Sequence, residues 1–474
     1  METTSFIFNR ELIRINESGA TPLVDWIRHE KGHSATKIGC REGDCGACTV
    51  VLAEMVDETW LFQAVTSCIM PLERVHGKWV ITLEGVTPDR GLNPVQAAFA
   101  QAQATQCGFC TPGFLMALTA HVLNSKTLSE EELLTAIDGN LCRCTGYQSI
   151  RRAIRRLVKK WNNQPDGMAE LKRQLLPVDL NEIAAMMQSI KEKNYSEEGE
   201  RPFVAGGTDY MVQLGYPHRR GLNKVSFFVR EEEGFKSIRK EQGCYYIGAG
   251  VTASQLFNNR EFAADFPGFS RVKNRVSSTP IRNVATLGGN LVNASPIADF
   301  AIALLVLDCR LQLMGAEGER QVQLKDFFKG YKLIDLNPGE RVRSLIVPVP
   351  TEVVPGGVFH FEKISKRDIL DIASVNSAAF ICLEGNRIVH AALSAGGVAP
   401  VPLLLEKTGL FLCGRELSME TLKGAQKVAS SEISPISDIR GTAAYKSKLL
   451  EHLVLAHFVD DLPEAFKQEA IWLN

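Results

Sequence analysis

No run of apolar residues in this sequence is long enough to cross a bilayer: the longest, Phe300 to Leu307, falls far short of the ~20 residues a spanning helix needs. No apolar core separates the N-terminal charges Arg10, Glu11, Arg14 and Glu17, so the start does not read as a secretion signal, and a reducing, cytoplasmic setting is the expectation. Net charge is nearly absent too, at −1 from 53 basic and 54 acidic residues. That argues against nucleic acid or an anionic membrane as the main partner, because both select clustered positive charge. The short basic run Arg151, Arg152, Arg155, Arg156, Lys159 and Lys160 has helical spacing and reads as a solvated helix face. Repeats and low-complexity tracts are missing, and the 9 histidines show no paired metal-ligand spacing, so none is assigned to catalysis. With 474 residues, 45% of them hydrophobic, there is material for about three soluble domains.

What the sequence does have is cysteine, unevenly spread. Twelve cysteines in a reducing compartment do not read as a disulfide framework. Eight lie at 40, 45, 48, 68, 107, 110, 142 and 144; Cys244, Cys309, Cys382 and Cys413 follow at wide spacing and read as small buried hydrophobes. The run Cys40-Arg-Glu-Gly-Asp-Cys45-Gly-Ala-Cys48 has the C-x4-C-x2-C spacing of plant-type [2Fe–2S] ligation, and Cys68 fits as the fourth ligand. Gly39, Gly43 and Gly46 allow the loop to turn tightly and bring N–H groups to sulfur. Zinc is the competing reading, but it favours C-x2-C pairs from two knuckles. The second set, Cys107-Gly-Phe-Cys110 and Cys142-Arg-Cys144, lies beside predicted helix N-termini, which favour negative charge. Its spacing alone leaves zinc, a redox dithiol and a cluster open, although no βαβ pattern surrounds Cys107 to suggest a thioredoxin.

Periodicity predicts a hairpin over residues 4–15, a helix at Pro22 to Arg28, and strands at Thr49–Ala53, Trp60–Val65 and Lys78–Leu83. Four helices are predicted next. One starts at Pro94, one has Thr111 as N-cap before Pro112, one has Ser129 and Glu132 at capping-box spacing, and one runs from Gly146 to Trp161. Polar residues from Asn162 onward read as a linker. Mixed strands and helices follow, with strands at Phe203–Ala205, Tyr245–Ala249, Arg310–Met314, Val358–Lys363, Ser374–Leu383 and Ile388–Ala395. Helices are expected at Asp299–Leu307, Met419–Ala429 and Thr442–Phe458. Two glycine turns, Val204-Ala205-Gly206-Gly207-Thr208-Asp209 and Thr286-Leu-Gly-Gly289-Asn290, read as loops whose N–H groups can approach a pyrophosphate; each alone is equally a plain turn. Gly248-Ala-Gly250 mimics a dinucleotide fingerprint but lacks a clear helix and a placed acid.

The segments Gln106-Cys-Gly-Phe-Cys-Thr-Pro-Gly113 and Asn140-Leu-Cys-Arg-Cys-Thr-Gly-Tyr147 resemble the two hallmark segments of the molybdenum hydroxylases, and the first cysteine loop matches the same family. The resemblance implies an α+β multidomain chain: a plant-type ferredoxin-like β-grasp domain over 1–85, a four-helix [2Fe–2S] bundle over 86–161, a linker over 162–174, an α+β FAD-binding domain over 175–352 and an α+β C-terminal domain over 353–474. It implies one [2Fe–2S] cluster on Cys40, Cys45, Cys48 and Cys68 and another on Cys107, Cys110, Cys142 and Cys144. By the same resemblance FAD meets Val204, Ala205, Gly206, Gly207, Thr208 and Asp209, and Thr286, Gly289 and Asn290 at its pyrophosphate. Asp299 goes to the adenosine or ribityl side, and Ile372, Glu42 and Gly43 lie near the flavin, while Gln106 and Cys144 face molybdopterin. Ser437-Asp438-Ile-Arg440 and Tyr445 match a C-terminal motif read as structural. One departure is that residues 271–278 hold no aromatic side chain where several relatives place one near the flavin.

The function so implied is that of an electron-transfer subunit in a xanthine dehydrogenase-like enzyme. Electrons come from molybdopterin on a large partner subunit and pass through two clusters and FAD to NAD, as hypoxanthine and xanthine are oxidised to urate. The implied assembly is a heterotetramer of two small and two large subunits. Two alternatives stand beside it: the same path in an aldehyde or N-heterocycle hydroxylase, and a zinc-stabilised or redox-sensing scaffold.

Overall fold

The residues of strand Thr4–Phe8 serve two cores at once. Phe6 and Phe8 point to one face of a five-stranded sheet and Ile7 to the other, and all five residues are buried. The strands run in the order Glu11–Ile15, Thr4–Phe8, Trp79–Ile81, Thr49–Val56, Thr59–Thr66; only Thr4–Phe8 and Trp79–Ile81 pair in parallel. Helix Leu23–His29 covers the first face with Leu23, Trp26 and Ile27, against Val50, Leu52 and Val80. This is the ferredoxin-like domain. The computed structural model describes residues 3–16, 19–190, 203–214, 226–227, 234–273 and 275–459. Contacts divide the chain into two units, 1–230 with 277–285, and 231–276 with 286–474.

Helices cover the other face of that sheet. Pro94–Gln101 starts with a reciprocal box between Asn93 and Gln96. Thr111–Asn124 is apolar nearly all round and is the buried centre of the bundle. Gln148–Asn162 buries Ile150, Ala153, Ile154, Leu157 and Trp161 at three- and four-residue steps and leaves its basic residues outside. Two expectations need correction. Thr111 is the first helical residue, not the cap: Cys110 holds the cap position, and Thr111 Oγ1 bonds Thr105 Oγ1 at 3.0 Å instead. The linker over 162–174 is largely helical: Gly167–Leu175 buries Leu171 and Leu175, four residues apart, in the same core as the bundle.

Among the described residues the second unit has two larger sheets beside the two-stranded pairing of Phe328–Gly330 with Leu333–Ile334. One is wholly antiparallel, ordered Gly318–Gln323, Arg310–Gly315, Arg341–Pro348, Cys244–Gly248, Ile238–Glu241. The other runs Val358–Ile364, Val375–Glu384, Arg387–Gly396, Leu403–Leu404 and is covered by helices Glu406–Leu412, Met419–Glu432 and Ala443–Ala456. Among the described residues no helix is long and apolar enough to cross a membrane. Of the four outlying cysteines, Cys309 and Cys382 are buried as expected. Cys244 is half-buried, and Cys413 is exposed because it sits just past a helix end.

Candidate functional site

Cys40, Cys45 and Cys48 occupy the loop before strand Thr49–Val56, and Cys68 the turn after Thr59–Thr66. Their thiols face one another: Cys40 bonds Cys45 and Cys68, and Cys48 bonds Cys68. The N–H groups of Glu42 and Cys45 point at Cys40 Sγ, each at 3.4 Å, and those of Ala47 and Gly43 at Cys45 and Cys68. The thiol of Cys45 lowers Cys40, and that of Cys68 lowers Cys48. The donating partners Cys45 and Cys68 are pushed up, chiefly by their bond to Cys40. Thiolate is the form a metal binds, and a loop that turns N–H groups on sulfur favours it.

In the second set Cys144 Sγ lies 3.5 Å from Cys107 Sγ, and Cys110 pairs with Cys142. Burial, then the Cys142 thiol, pushes Cys110 up to about 12. Burial also raises Cys142, but the Thr145 hydroxyl at 3.1 Å and nearby backbone N–H groups outweigh it and the thiol ends low. Cys107 is lowered by the Phe109 N–H and then by Cys144. The Cys142 N–H donates to Tyr147 Oη at 3.0 Å, and Tyr147, at φ +64°, caps the helix Gln148–Asn162. Among the described residues no three His, Cys, Asp or Glu side chains converge as around a single ion. The second set instead faces in two pairs and the first runs Cys45–Cys40–Cys68–Cys48, four thiols each, as a two-iron centre takes.

The two sets share one scaffold. Gly46, at φ +65°, has Gly139 O 2.2 Å from where a Cβ would sit. Asn140 Nδ2 donates to Gly46 O at 3.0 Å and to Thr49 Oγ1 at 3.3 Å. The Leu141 N–H donates to Cys45 O at 3.0 Å, so one hydrogen bond and one peptide unit separate Cys45 from Cys142. Exposure distinguishes the sets. Cys48 and Cys68 are 2% and 5% exposed, whereas Cys107, Cys144 and Gln106 lie at the surface, with Phe109 and Leu141 exposed beside them.

The residues expected at the flavin fall in both units. In the first, Phe203–Val204 leads through Gly206 and Gly207, at φ +75°, into helix Thr208–Leu214. Gly206 passes so close to Val284 O that a Cβ would meet it at 2.3 Å. Val204, Tyr210 and Met211 pack in one core with Cys48, Cys68 and Ile69. Glu42 is exposed; Gly43 is buried. In the second unit, Thr286, Gly289 and Asn290 do not form a loop. Thr286 caps helix Leu287–Val292 through the Gly289 N–H at 3.1 Å, and the N–H groups of Leu287 and Gly288 are spent on Val251 O and Ala249 O. What remains is the Asn290 amide, whose buried Oδ1 has no partner and which can turn oxygen or nitrogen to a ligand. Asp299 accepts from Lys363 at 2.8 Å and Asn376 at 2.6 Å; burial raises its pKa against the pull of Lys363. Ile372 is 53% exposed. The Gly248–Gly250 fingerprint is disposed of: its strand is antiparallel to both neighbours, and the glycines make room for Phe235.

Four domain families match the chain in order: a 2Fe-2S iron-sulfur cluster binding domain over 7–73, a [2Fe-2S] binding domain over 82–155, an FAD binding domain in molybdopterin dehydrogenase over 172–350 and a CO dehydrogenase flavoprotein C-terminal domain over 360–460. The chain belongs to the molybdenum hydroxylase family. This hydroxylase chain is 29% identical to xanthine dehydrogenase 1 of Arabidopsis thaliana over 88% of its own length and 36% of the relative's. It is 27% identical to xanthine dehydrogenase of Emericella nidulans over 90% of its length and 36% of the relative's. It thus spans about a third of the curated relatives it matches. Among solved structures, reconstituted CO dehydrogenase from Oligotropha carboxidovorans is similar at 28% identity and a TM-score of 0.50, over 54% of this chain and 87% of that one. The hydroxylase chain therefore carries two iron–sulfur domains and a flavin domain. The [2Fe-2S] binding domain match, over 82–155, spans the second cysteine set. Sequence reasoning missed Met211, Ile281, Asp138 and Arg282, whose positions depend on contacts between distant segments.

Proposed function

We propose that the chain is the electron-transfer part of a xanthine dehydrogenase-like molybdenum hydroxylase, taking electrons from molybdopterin on a partner chain and delivering them to NAD as xanthine is oxidised to urate. Cys107, Cys110, Cys142 and Cys144 hold the [2Fe–2S] centre nearer the partner; Cys40, Cys45, Cys48 and Cys68 hold the inner one. Val204 to Asp209, Thr286, Gly289, Asn290, Asp299 and Ile372 are the residues proposed for FAD. When bound, the centres and the flavin supply one- and two-electron redox chemistry. The chain itself orients thiolates, aims N–H groups at sulfur and covers Cys48 and Cys68.

The observation that carries this reading is the difference in exposure. The second set has Cys107 and Cys144 open to the surface beside Gln106, Phe109 and Leu141, as a docking face for a partner needs, whereas the first has Cys48 and Cys68 buried in a core with Val204 and Met211 and only Cys40 and Cys45 half-buried. Cys142→Ser tests the assignment: reduced protein should lose one EPR signal and keep the other, and two intact signals would end it. Copurification with a molybdopterin chain, followed by xanthine-dependent NAD reduction, tests the reaction. Similarity to a CO dehydrogenase supports a second reading, in which the same path serves a hydroxylase with a substrate other than xanthine, an aldehyde or N-heterocycle among them. A substrate panel on the purified complex separates the two.

A further inference from the structure

Residues 277–285 come from the flavin-domain stretch of the sequence yet belong to the first unit. A buried ion pair holds them there: Arg282 Nη2 is 2.7 Å from Asp138 Oδ2, with side chains only 6% and 3% exposed. The other carboxylate oxygen accepts the Thr279 N–H at 2.7 Å. Arg282 also donates to Ser277 O at 3.0 Å and Thr279 Oγ1 at 2.8 Å, and Asn283 Nδ2 to Ala64 O at 2.9 Å. The one-turn helix Thr279–Arg282 is thus fixed at both ends. Both charges are paired and further hydrogen-bonded, the arrangement that makes burying them tolerable.

That helix carries one large aliphatic side chain, Ile281, and it points to the first thiol set. Ile281 packs against the core that contains Cys48, Cys68, Ile69 and Met211. Its Cδ1 and that of Ile69 fill the space above Gly43, 2.8 and 2.7 Å from where a Cβ would be. The Gly43 N–H in turn points at the Cys68 sulfur.

The geometry points to Ile281 as the lid of the inner iron–sulfur centre, a positioning residue held down by the Asp138–Arg282 pair that sets the centre's potential by excluding water from its Gly43–Cys68 side. The inference rests on the reading that Cys40, Cys45, Cys48 and Cys68 hold a [2Fe–2S] centre. Such a centre gains one negative charge on reduction, and water stabilises the more charged state. Opening the lid therefore raises the potential.

The test is an EPR-monitored redox titration of the full chain with both centres loaded, the two signals first assigned with Cys142→Ser. Ile281→Ala should favour reduction of the inner centre about tenfold, which is about 59 mV for one electron, and leave the outer centre unmoved. Ile281→Leu should keep the native value, and Arg282→Gln, which frees the helix, should move the same midpoint in the same direction as Ile281→Ala. Loss of the inner signal alone in Ile281→Ala, with Ile281→Leu retaining it, also supports the lid. A native chain without iron would sink the underlying cluster reading. Two native centres with an unmoved inner midpoint in Ile281→Ala, or equal shifts in both, would sink the lid alone.

Discussion

Gly46→Ala adds one methyl group at the point where the two cysteine loops touch. Gly46 has φ +65°, which costs an L-residue about 1–2 kcal/mol. The new Cβ would also lie 2.2 Å from Gly139 O and 2.5 Å from Asn140 Nδ2, whereas real Cβ contacts essentially never fall below 3.0 Å. The 139–141 turn must retreat by most of an ångström. That endangers the Asn140-to-Gly46 and Leu141-to-Cys45 hydrogen bonds, both 3.0 Å, each worth about 1 kcal/mol. The expected total is about 3–4 kcal/mol. Gly77→Ala isolates the backbone part, since Gly77 has φ +71° and nothing within 4 Å of its added Cβ. It should cost only about 1–2 kcal/mol. Denaturant unfolding followed by visible absorbance gives the stabilities, and EPR of the reduced protein reports both centres. Gly46→Ala should perturb both signals at once, because the displaced turn carries Cys142 and bonds Cys45. Should it match Gly77→Ala in stability with both signals native, the shared scaffold has been misjudged.

Other perturbations have equally definite outcomes. Asp138→Asn leaves Arg282 charged in a site 6% exposed and should cost about 3–5 kcal/mol; adding Arg282→Gln should recover part of the loss in the denaturant midpoint. His457 is buried with Nε2 2.9 Å from Ser377 Oγ, and burial, then His360 and Arg271, lowers its pKa to about 3. Its folded value lies below its free value, so the unfolded chain takes up the proton first. The stability of the neutral ring is complete above about pH 6.5 and is lost as pH falls toward 3, by up to about 1.4 kcal/mol per pH unit. Unfolding midpoints between pH 7 and 5 should fall more steeply for the native chain than for His457→Gln. Under an iron chelator the exposed Cys107–Cys144 centre should bleach before the buried one; equal decay of the two EPR signals would contradict the assignment.

The cluster sets were legible because their ligands sit close together in sequence, and sulfur spacing reports directly on metal chemistry. The sheet and bundle of the first unit were legible for a similar reason: Phe6, Ile7 and Phe8 alternate, and Ile150 to Trp161 step by three and four. Gly167–Leu175 was hidden because Glu170, Lys172 and Arg173 make it polar and its apolar contacts with the core are few, Leu171 and Leu175 with Met168 partly beside them. Leu287–Val292 was hidden because paired glycines are poor helix formers. There the Thr286 cap and the closeness of Gly288 to Ala249 override propensity. Arg341 and Arg343 mask the strand Arg341–Pro348, whose Val342, Leu345, Ile346 and Val347 are buried. The Asp138–Arg282 pair joins residues 144 positions apart, and nothing in either local sequence announces it.

The order in which the chain is made bears on when its thiols are covered. Cys40 to Cys68 leave the ribosome well before Met211 and Ile281, which pack in one core with Cys48 and Cys68. At roughly 5–20 residues per second, about 10–40 s pass between Cys68 and Ile281. During that interval Cys48 and Cys68 have no roof; afterwards they are covered, while Cys40 and Cys45 stay half-buried. Cys107 and Cys144 stay at the surface of the folded chain, so the outer centre remains reachable until the proposed partner docks over it. One polypeptide thus carries two thiol sets that are covered by different events, one by later segments of its own chain and one by its partner.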